Sequence, residues 1–348
     1  MTMLRVGVFF GGSSSEGEVS LESGRHLYQS LDTSKYTGVP IFLSKKHEFW
    51  QLPMTLLLMN TTDDIERALT KSATRILYEQ LKEKIDFALL TVHGKYGEDG
   101  CMQGLLELLD IPYSGSGVLA SAIGMDKPMT RRFLEAAGIQ TPKYVLAIRD
   151  ELRVTSYELR DPAPFPLPWI VKPSREGCST GLSKVERAED LPAALERAFQ
   201  WDAVAMIDEF IDGMEVTTTV LGNDDLQALL PSETPPSGQA AYLTLEDKFL
   251  PGQAPMITPA RLPKAMIEKI QATCITAYRA LGLKGYARID GFVRGDEVLL
   301  NEVNTLPGAT PSTCLFQQAA AAGMTPMDLV NKIIELGREA HATKKGPL

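Results

Sequence analysis

The sequence predicts an α/β protein of two or three domains, on three observations. The first 120 residues alternate short apolar runs, Gly-rich turns and helical spacings, the pattern of a parallel sheet with crossover helices. After about Ala120 the texture changes to adjacent strand pairs with an amphipathic helix between them. Finally, 348 residues exceed what one core usually organises, at about 150 residues per domain.

Taken in order, LRVGVFF is a strand-length apolar run, GGSSSEGEVS its turn, and SLESGRHLYQSL has helical spacing. KIDFALLTV reads as a second buried strand, ended by the glycine-rich HGKYGEDG, and IPYSGSG closes the segment. Loops at the ends of parallel strands are where α/β folds place ligands. MDKPMTRRFLEAAGIQTPKYVLA predicts a helix stopped by Gly138 and followed by a strand. The prolines of DPAPFPLP cannot donate to a ladder, so they precede rather than join the strand WIVKPS. VAMIDEFIDGMEVTTTVLG reads as two strands bent at Gly213. YLTLEDKFLPGQAPMITPA lacks periodicity and reads as a long loop of the kind that forms lids. LPKAMIEKIQATCITAYRALGL is an amphipathic helix, YARIDGFVRGDEVLLNEVN a strand pair turning at Gly-Asp, and TPMDLVNKIIELGREA a closing helix.

Composition removes several function classes. A net charge of −9 argues against nucleic acid as a partner, since phosphate binding needs clustered cations. No apolar run approaches the ~18 residues of a membrane span, and the N-terminal apolar stretch is too short for a secretory signal. Cys101, Cys178, Cys274 and Cys314 form no CxxC pair, which fits a reducing cytoplasm.

Asp290, Glu302 and Asn304 offer hard oxygen ligands suited to Mg²⁺, from two adjacent strands. Glu302 and Asn304 are two apart and share a sheet face; flanking apolar residues would make that face core, where charges need a partner. Arg288 shares the face of Asp290 and can answer an oxyanion or a phosphate. Lys172 ends a strand before REGCSTG, a loop rich in backbone N–H groups for phosphate oxygens. Lys127 is a second phosphate cation, Glu215 can hold ribose hydroxyls, and the strand edge Glu209–Ile211 can offer its backbone to adenine.

In combination, GGSSSEGEVSLESG, HGKYGEDG, SGSGVLASAIGMDK, VKPSREGCSTGLSKV, EDKF, ARIDGFV and NEVNTLPGATPST make the chain resemble the D-alanine–D-alanine ligases of the ATP-grasp superfamily over essentially its whole length. The resemblance implies three α/β domains: an N-terminal doubly wound parallel-sheet domain (1–120), a central ATP-grasp domain (121–213) and a C-terminal one with lid and metal site (214–348). It implies ATP as cosubstrate and two Mg²⁺ ions, for which Mn²⁺ can stand in, at Asp290, Glu302 and Asn304. Lys127, Lys172, Ser179, Asp208, Glu209, Ile211, Glu215 and Lys248 would bind ATP. Asp208 stands where the family has glutamate, which leaves open whether Asp208 or Glu209 reaches adenine. Glu16 would hold the ammonium of the first D-alanine, with His93 near its carboxylate and Thr313 at the carboxylate of the second. Arg288 and the backbone of Gly308 would form the oxyanion hole.

Two positions depart from the pattern. Cys178 and Phe249 stand where a family serine and a lid tyrosine bond each other and the glutamate matching Glu16. A thiol is a weak donor and phenylalanine has none, so the latch loses about 1 kcal/mol per bond. Phenylalanine at that position is associated with D-lactate as second substrate, so a D-alanine–D-lactate or other D-Ala–D-X ligase is the alternative. A catalytically silent ATP-binding scaffold is a further one. The resemblance also implies peptidoglycan precursor synthesis, a cytoplasmic location and a homodimer, with D-alanine and ATP as partners.

Overall fold

The computed structural model describes residues 3–149, 157–159, 163–177, 179–235 and 256–344, folded around three sheets. The first contains β1 (Leu4–Gly11), β2 (Tyr36–Leu43), β3 (Phe49–Gln51), β4 (Thr74–Ile76) and β5 (Phe87–Leu90), in the order β4-β3-β2-β1-β5. Its centre is parallel, β1 pairing with β2 and β5, and two short antiparallel strands extend one side. Val6, Val8, Phe9 and Phe10 of β1 and all of β5 are buried, which is why these strands read as continuous apolar runs rather than alternations.

The cover of this sheet comes from both ends of the chain. Helix Gly17–Gln29 lies against Phe10, and the C-terminal helix Pro326–Lys344 lies against Phe87. Leu329, Val330, Ile333 and Ile334 join the same core as Val6 and Leu89. At Gly337 a Cβ would stand 2.4 Å from the carbonyl oxygen of Tyr113, so only glycine permits this approach.

The second sheet is antiparallel, with β6 (Tyr144–Arg149), β7 (Tyr157–Leu159), β8 (Trp169–Pro173), β9 (Ser183–Val185) and β10 (Val204–Glu209) in the order β7-β6-β10-β8-β9. Helix Leu191–Ala198 buries Leu191, Leu195 and Ala198 against Val171, Val185, Ala205 and Ile207. The third sheet holds β11 (Met214–Leu221), β12 (Gln227–Ala228), β13 (Ser232–Glu233), β14 (Tyr286–Arg294) and β15 (Glu297–Asn304), also antiparallel. Helix Lys264–Ala280 packs Ile270, Cys274, Ala277 and Tyr278 on Val216, Val220, Ala287 and Ile289.

One irregularity in this third sheet positions the site. Asp290 pairs with Glu302 but Gly291 pairs with Leu300, leaving Asn301 as an extra, bulged residue. Val298 and Leu300 enter the core before the bulge and Val303 after it, so the inward phase changes from even to odd numbers. Glu302 and Asn304 are thereby turned away from the core face they would otherwise share with Val298 and Leu300.

Candidate active site

A cavity of about 370 Å³ opens between the second and third sheets. One part is apolar, formed by Pro142, Ile170, Leu182, Phe210, Ile211 and Phe292, and suits a planar base. The other part carries Lys127, Lys172, Ser179 and Glu302, with Asp208, Glu209 and Glu215 also in the wall. Lys127 starts helix Lys127–Ala136, whose N-cap Asp126 accepts from the Met129 N–H at 3.0 Å. The Lys127 ammonium donates to the carbonyl of Glu176 and lies 3.6 Å from Glu302 Oε2.

The Asp208 carboxylate is held by two cations. Oδ1 accepts from Arg131 Nη1 at 3.0 Å, while Oδ2 accepts from Arg131 Nη2 at 2.7 Å and pairs with Lys172 Nζ at 2.9 Å. Burial opposes ionisation there, but the two cations outweigh it and hold Asp208 below the usual carboxylate range. Burial pulls the ammonium of Lys172 down, against the attraction of Asp208. Glu209 accepts from Arg294 Nη1 at 2.8 Å while remaining in the cavity wall.

The polar face of the third sheet forms cross-strand rows: Glu215 opposite Phe292, Thr217 opposite Asp290 opposite Glu302, and Arg288 opposite Asn304. The Arg288 guanidinium grips Asp290 through Nε (2.9 Å) and Nη2 (2.7 Å), Asn304 Nδ2 donates to it at 3.2 Å, and the Thr217 hydroxyl donates as well. Arg288 is half-buried, which disfavours its charge, yet the Asp290 carboxylate raises its pKa well above the ordinary value. Two facing carboxylates and an amide oxygen match the oxygen-rich donor set of Mg²⁺. Among the described residues, no group of three His, Cys, Asp or Glu side chains that could hold a metal ion is found.

The loops after β1 and β5 meet this face from the N-terminal sheet. Ser14 ties them, accepting from the Glu16 N–H at 3.3 Å and donating to the His93 carbonyl at 2.8 Å. The Glu16 carboxylate sits against two glycines: a Cβ at Gly94 or at Gly177 would stand 2.9 Å from Oε2. Gly177 belongs to the loop after β8, so Glu16 touches the phosphate loop from across the cleft. His93 is buried, with Nδ1 2.9 Å from the Leu306 carbonyl and Nε2 3.1 Å from Ser23 Oγ, which also accepts from the Ala309 N–H at 3.0 Å. Both ring nitrogens thus brace the 306–309 segment, Nδ1 directly and Nε2 through Ser23. Thr313 precedes helix Cys314–Ala321, its hydroxyl donating to the Thr310 carbonyl at 2.7 Å, and its methyl would lie 3.4 Å from a Cβ on Gly308.

Cys178, Lys248 and Phe249 lie outside the described residues. Three residues that sequence reasoning missed belong to the site. Glu98, whose Oε2 is 3.9 Å from His93 Nδ1, has its pKa raised by burial and by Glu16. His93 is raised despite burial, through Glu98, Glu16 and the Leu306 carbonyl. Arg131 and Asn301 are the other two. Arg131 had a signal, one helical turn after Lys127; Glu98 lies within HGKYGEDG; Asn301 had none, since its orientation comes from a bulge.

Residues 5–116 match the family profile for the D-ala D-ala ligase N-terminus, and residues 133–335 that for its C-terminus. A D-alanine–D-alanine ligase of Prosthecochloris aestuarii is 36% identical over 96% of this chain and 98% of its own, and one from Pelotomaculum thermopropionicum is 38% identical over 97% of each. The VanG D-Ala:D-Ser ligase of Enterococcus faecalis superposes with a TM-score of 0.81 at 29% identity, covering 97% of this chain and 100% of that one. The D-alanine–D-alanine ligase of Bacillus anthracis complexed with ATP does so at 0.72 and 31%, covering 99% of each. Fold, site rows and full-length likeness agree: the chain belongs to the D-alanine–D-alanine ligase family of ATP-dependent ligases.

Proposed function

We propose that this cleft joins two D-alanines through an acylphosphate, with the following residues in the named roles. The observation that carries it is the convergence, in one cleft, of an apolar base pocket, the cations Lys127 and Lys172, and the row Asp290–Glu302–Asn304 beside Arg288. Adenine lies on Ile170, Phe210, Ile211 and Phe292, Glu215 takes the ribose, and Lys127, Lys172 and the Ser179 loop take the phosphates. Asp290, Glu302 and Asn304 would hold Mg²⁺, which when bound neutralises phosphate charge as the carboxylate approaches.

Glu16 holds the ammonium of the first D-alanine, whose carboxylate oxygen attacks the γ-phosphorus as ADP leaves. The second D-alanine, its carboxylate near Thr313, loses a proton from nitrogen and attacks the acyl carbon. Arg288 and the Gly308 N–H face the oxyanion; its collapse expels phosphate and leaves the dipeptide. His93 acts by bracing the loop that carries Gly308.

The product feeds peptidoglycan precursors in the cytoplasm; among the described residues no helix is long and apolar enough to cross a membrane. The expected assembly is a homodimer, and a single 38.1 kDa species in light scattering would exclude it. The experiment that tests the function supplies ATP, Mg²⁺ and D-alanine with equal D-lactate, at pH 6 and pH 8, and identifies products by mass spectrometry. D-Ala–D-Ala at both pH values is expected. Depsipeptide at pH 6 would move the second substrate to the hydroxy acid, and no product despite ATP binding would leave a nucleotide-binding scaffold.

A further inference from the structure

Arg131 heads the largest fully buried side chains among the described residues, and every direction of its guanidinium is used. Nη1 donates to the Pro142 carbonyl (3.1 Å) and to Asp208 Oδ1 (3.0 Å); Nη2 donates to Asp208 Oδ2 and to Asn301 Oδ1, both at 2.7 Å. Tyr144 offers its ring face 5.2 Å away. The side chain thus joins β10, through Asp208, to β15, through the bulged Asn301. The same two acceptors meet again on Lys172, whose ammonium lies 2.9 Å from Asp208 Oδ2 and 3.3 Å from Asn301 Oδ1.

We propose that Arg131 and Asn301 are positioning residues that hold the Lys172 ammonium at the phosphate end of the nucleotide cavity. A lysine ammonium is a point charge on a flexible four-carbon stem, so it points reliably only when acceptors fix it. Here two acceptors do so, and Arg131 fixes both. Because the Asn301 oxygen accepts from Arg131 and Lys172 together, its amide orientation is determined, and its NH₂ cannot face either cation. The bulge supplies the aim, because it rotates β15 locally just before Glu302. Charge points the same way. One carboxylate, Asp208, lies between two cations, and the remaining positive charge sits at the cavity wall where a phosphate chain would neutralise it. A lysine in place of Arg131 could not serve, since one ammonium cannot fork across a carboxylate and also reach Asn301.

The inference rests on reading the cleft as the ATP site, and the test separates the two. Binding of ATP and of adenosine is measured by calorimetry on the full-length protein, on Asn301→Leu, which keeps the branched shape and loses the acceptor, and on Arg131→Lys. Asn301→Leu is expected to weaken ATP about tenfold while leaving adenosine within about twofold. KM for ATP should rise with KM for D-alanine unchanged. An equal loss for adenosine would mean that Asn301 serves the base, and unchanged ATP affinity with only a lower melting temperature would mean a brace between sheets; either overturns the proposal. If Asn301→Leu does not fold, Arg131→Lys carries the same pair of measurements, with the same ATP-selective loss expected. No ATP binding by the unaltered protein would overturn the reading of the site, and this inference with it.

Discussion

In the first sheet β1 and β5 are buried along their lengths, and Glu16 and His93 stand in loops just past their ends. In the third sheet Arg288, Asp290, Glu302 and Asn304 are strand residues, on the face opposite the core. The difference follows from how each sheet is covered. A parallel sheet buried on both faces has no room for charge except at strand ends. An antiparallel sheet with one packed face can carry a charged row on the other, provided the charges find partners. Loop-borne groups can shift with their loops, whereas strand-borne groups are held by the ladder. Damage to the third sheet should therefore fall on chemistry, and damage to the first on stability.

The largest effect should come from the strand-borne charges. Asp208→Asn leaves Arg131 and Lys172 buried without their counter-charge and should cost about 3–5 kcal/mol of stability in denaturant titration. The acid side of the stability profile checks the same pair. Since the folded pKa of Asp208 is depressed, its contribution is present above the unfolded carboxylate value and is lost as pH falls through the folded one. The Asn variant should lack that acid-limb loss; an unchanged acid limb would mean the pair does not govern it.

Arg288→Met should lower kcat by about 10²–10³ through loss of an oxyanion donor, read by phosphate release at saturating substrates. A drop below tenfold would move the oxyanion hole elsewhere. On the helix that covers the first sheet, Gly337→Ala sets a Cβ against the Tyr113 carbonyl and Phe87. It should cost about 1–3 kcal/mol in spite of better helix propensity, with kcat unchanged well below the melting temperature. An equal fall in kcat would blur the division between the two sheets. The smallest effect concerns the point where the loop after β1, carrying Glu16, meets the loop after β8. Gly177→Ala would crowd the Glu16 carboxylate and should raise KM for D-alanine about fivefold, near 1 kcal/mol, with little change in melting temperature.

Much of the site was legible because its residues sit in contiguous segments with local signals. HGKYGEDG and NEVNTLPG carry their own turn chemistry, and Lys127 is one turn from Arg131 on a capped helix. The strand pair turning at Gly295–Asp296 and the helix Lys264–Ala280 are likewise where periodicity put them. What was not legible depends on partners far away in the chain. The role of Asp208 turned on Arg131, 77 residues before it, and that of His93 on Leu306, 213 residues after it.

By itself, the sequence determined most of the elements and the family, because apolar period, turn residues and motif spacing are properties of short stretches. Only the tertiary structure decided how those groups are shared. It closed the first sheet with the last helix, turned Glu302 and Asn304 outward by a bulge at Asn301, and engaged Asp208 with two cations. Those outcomes depend on register between distant strands and on the pairing of buried charge, and neither is encoded in any single stretch of the chain.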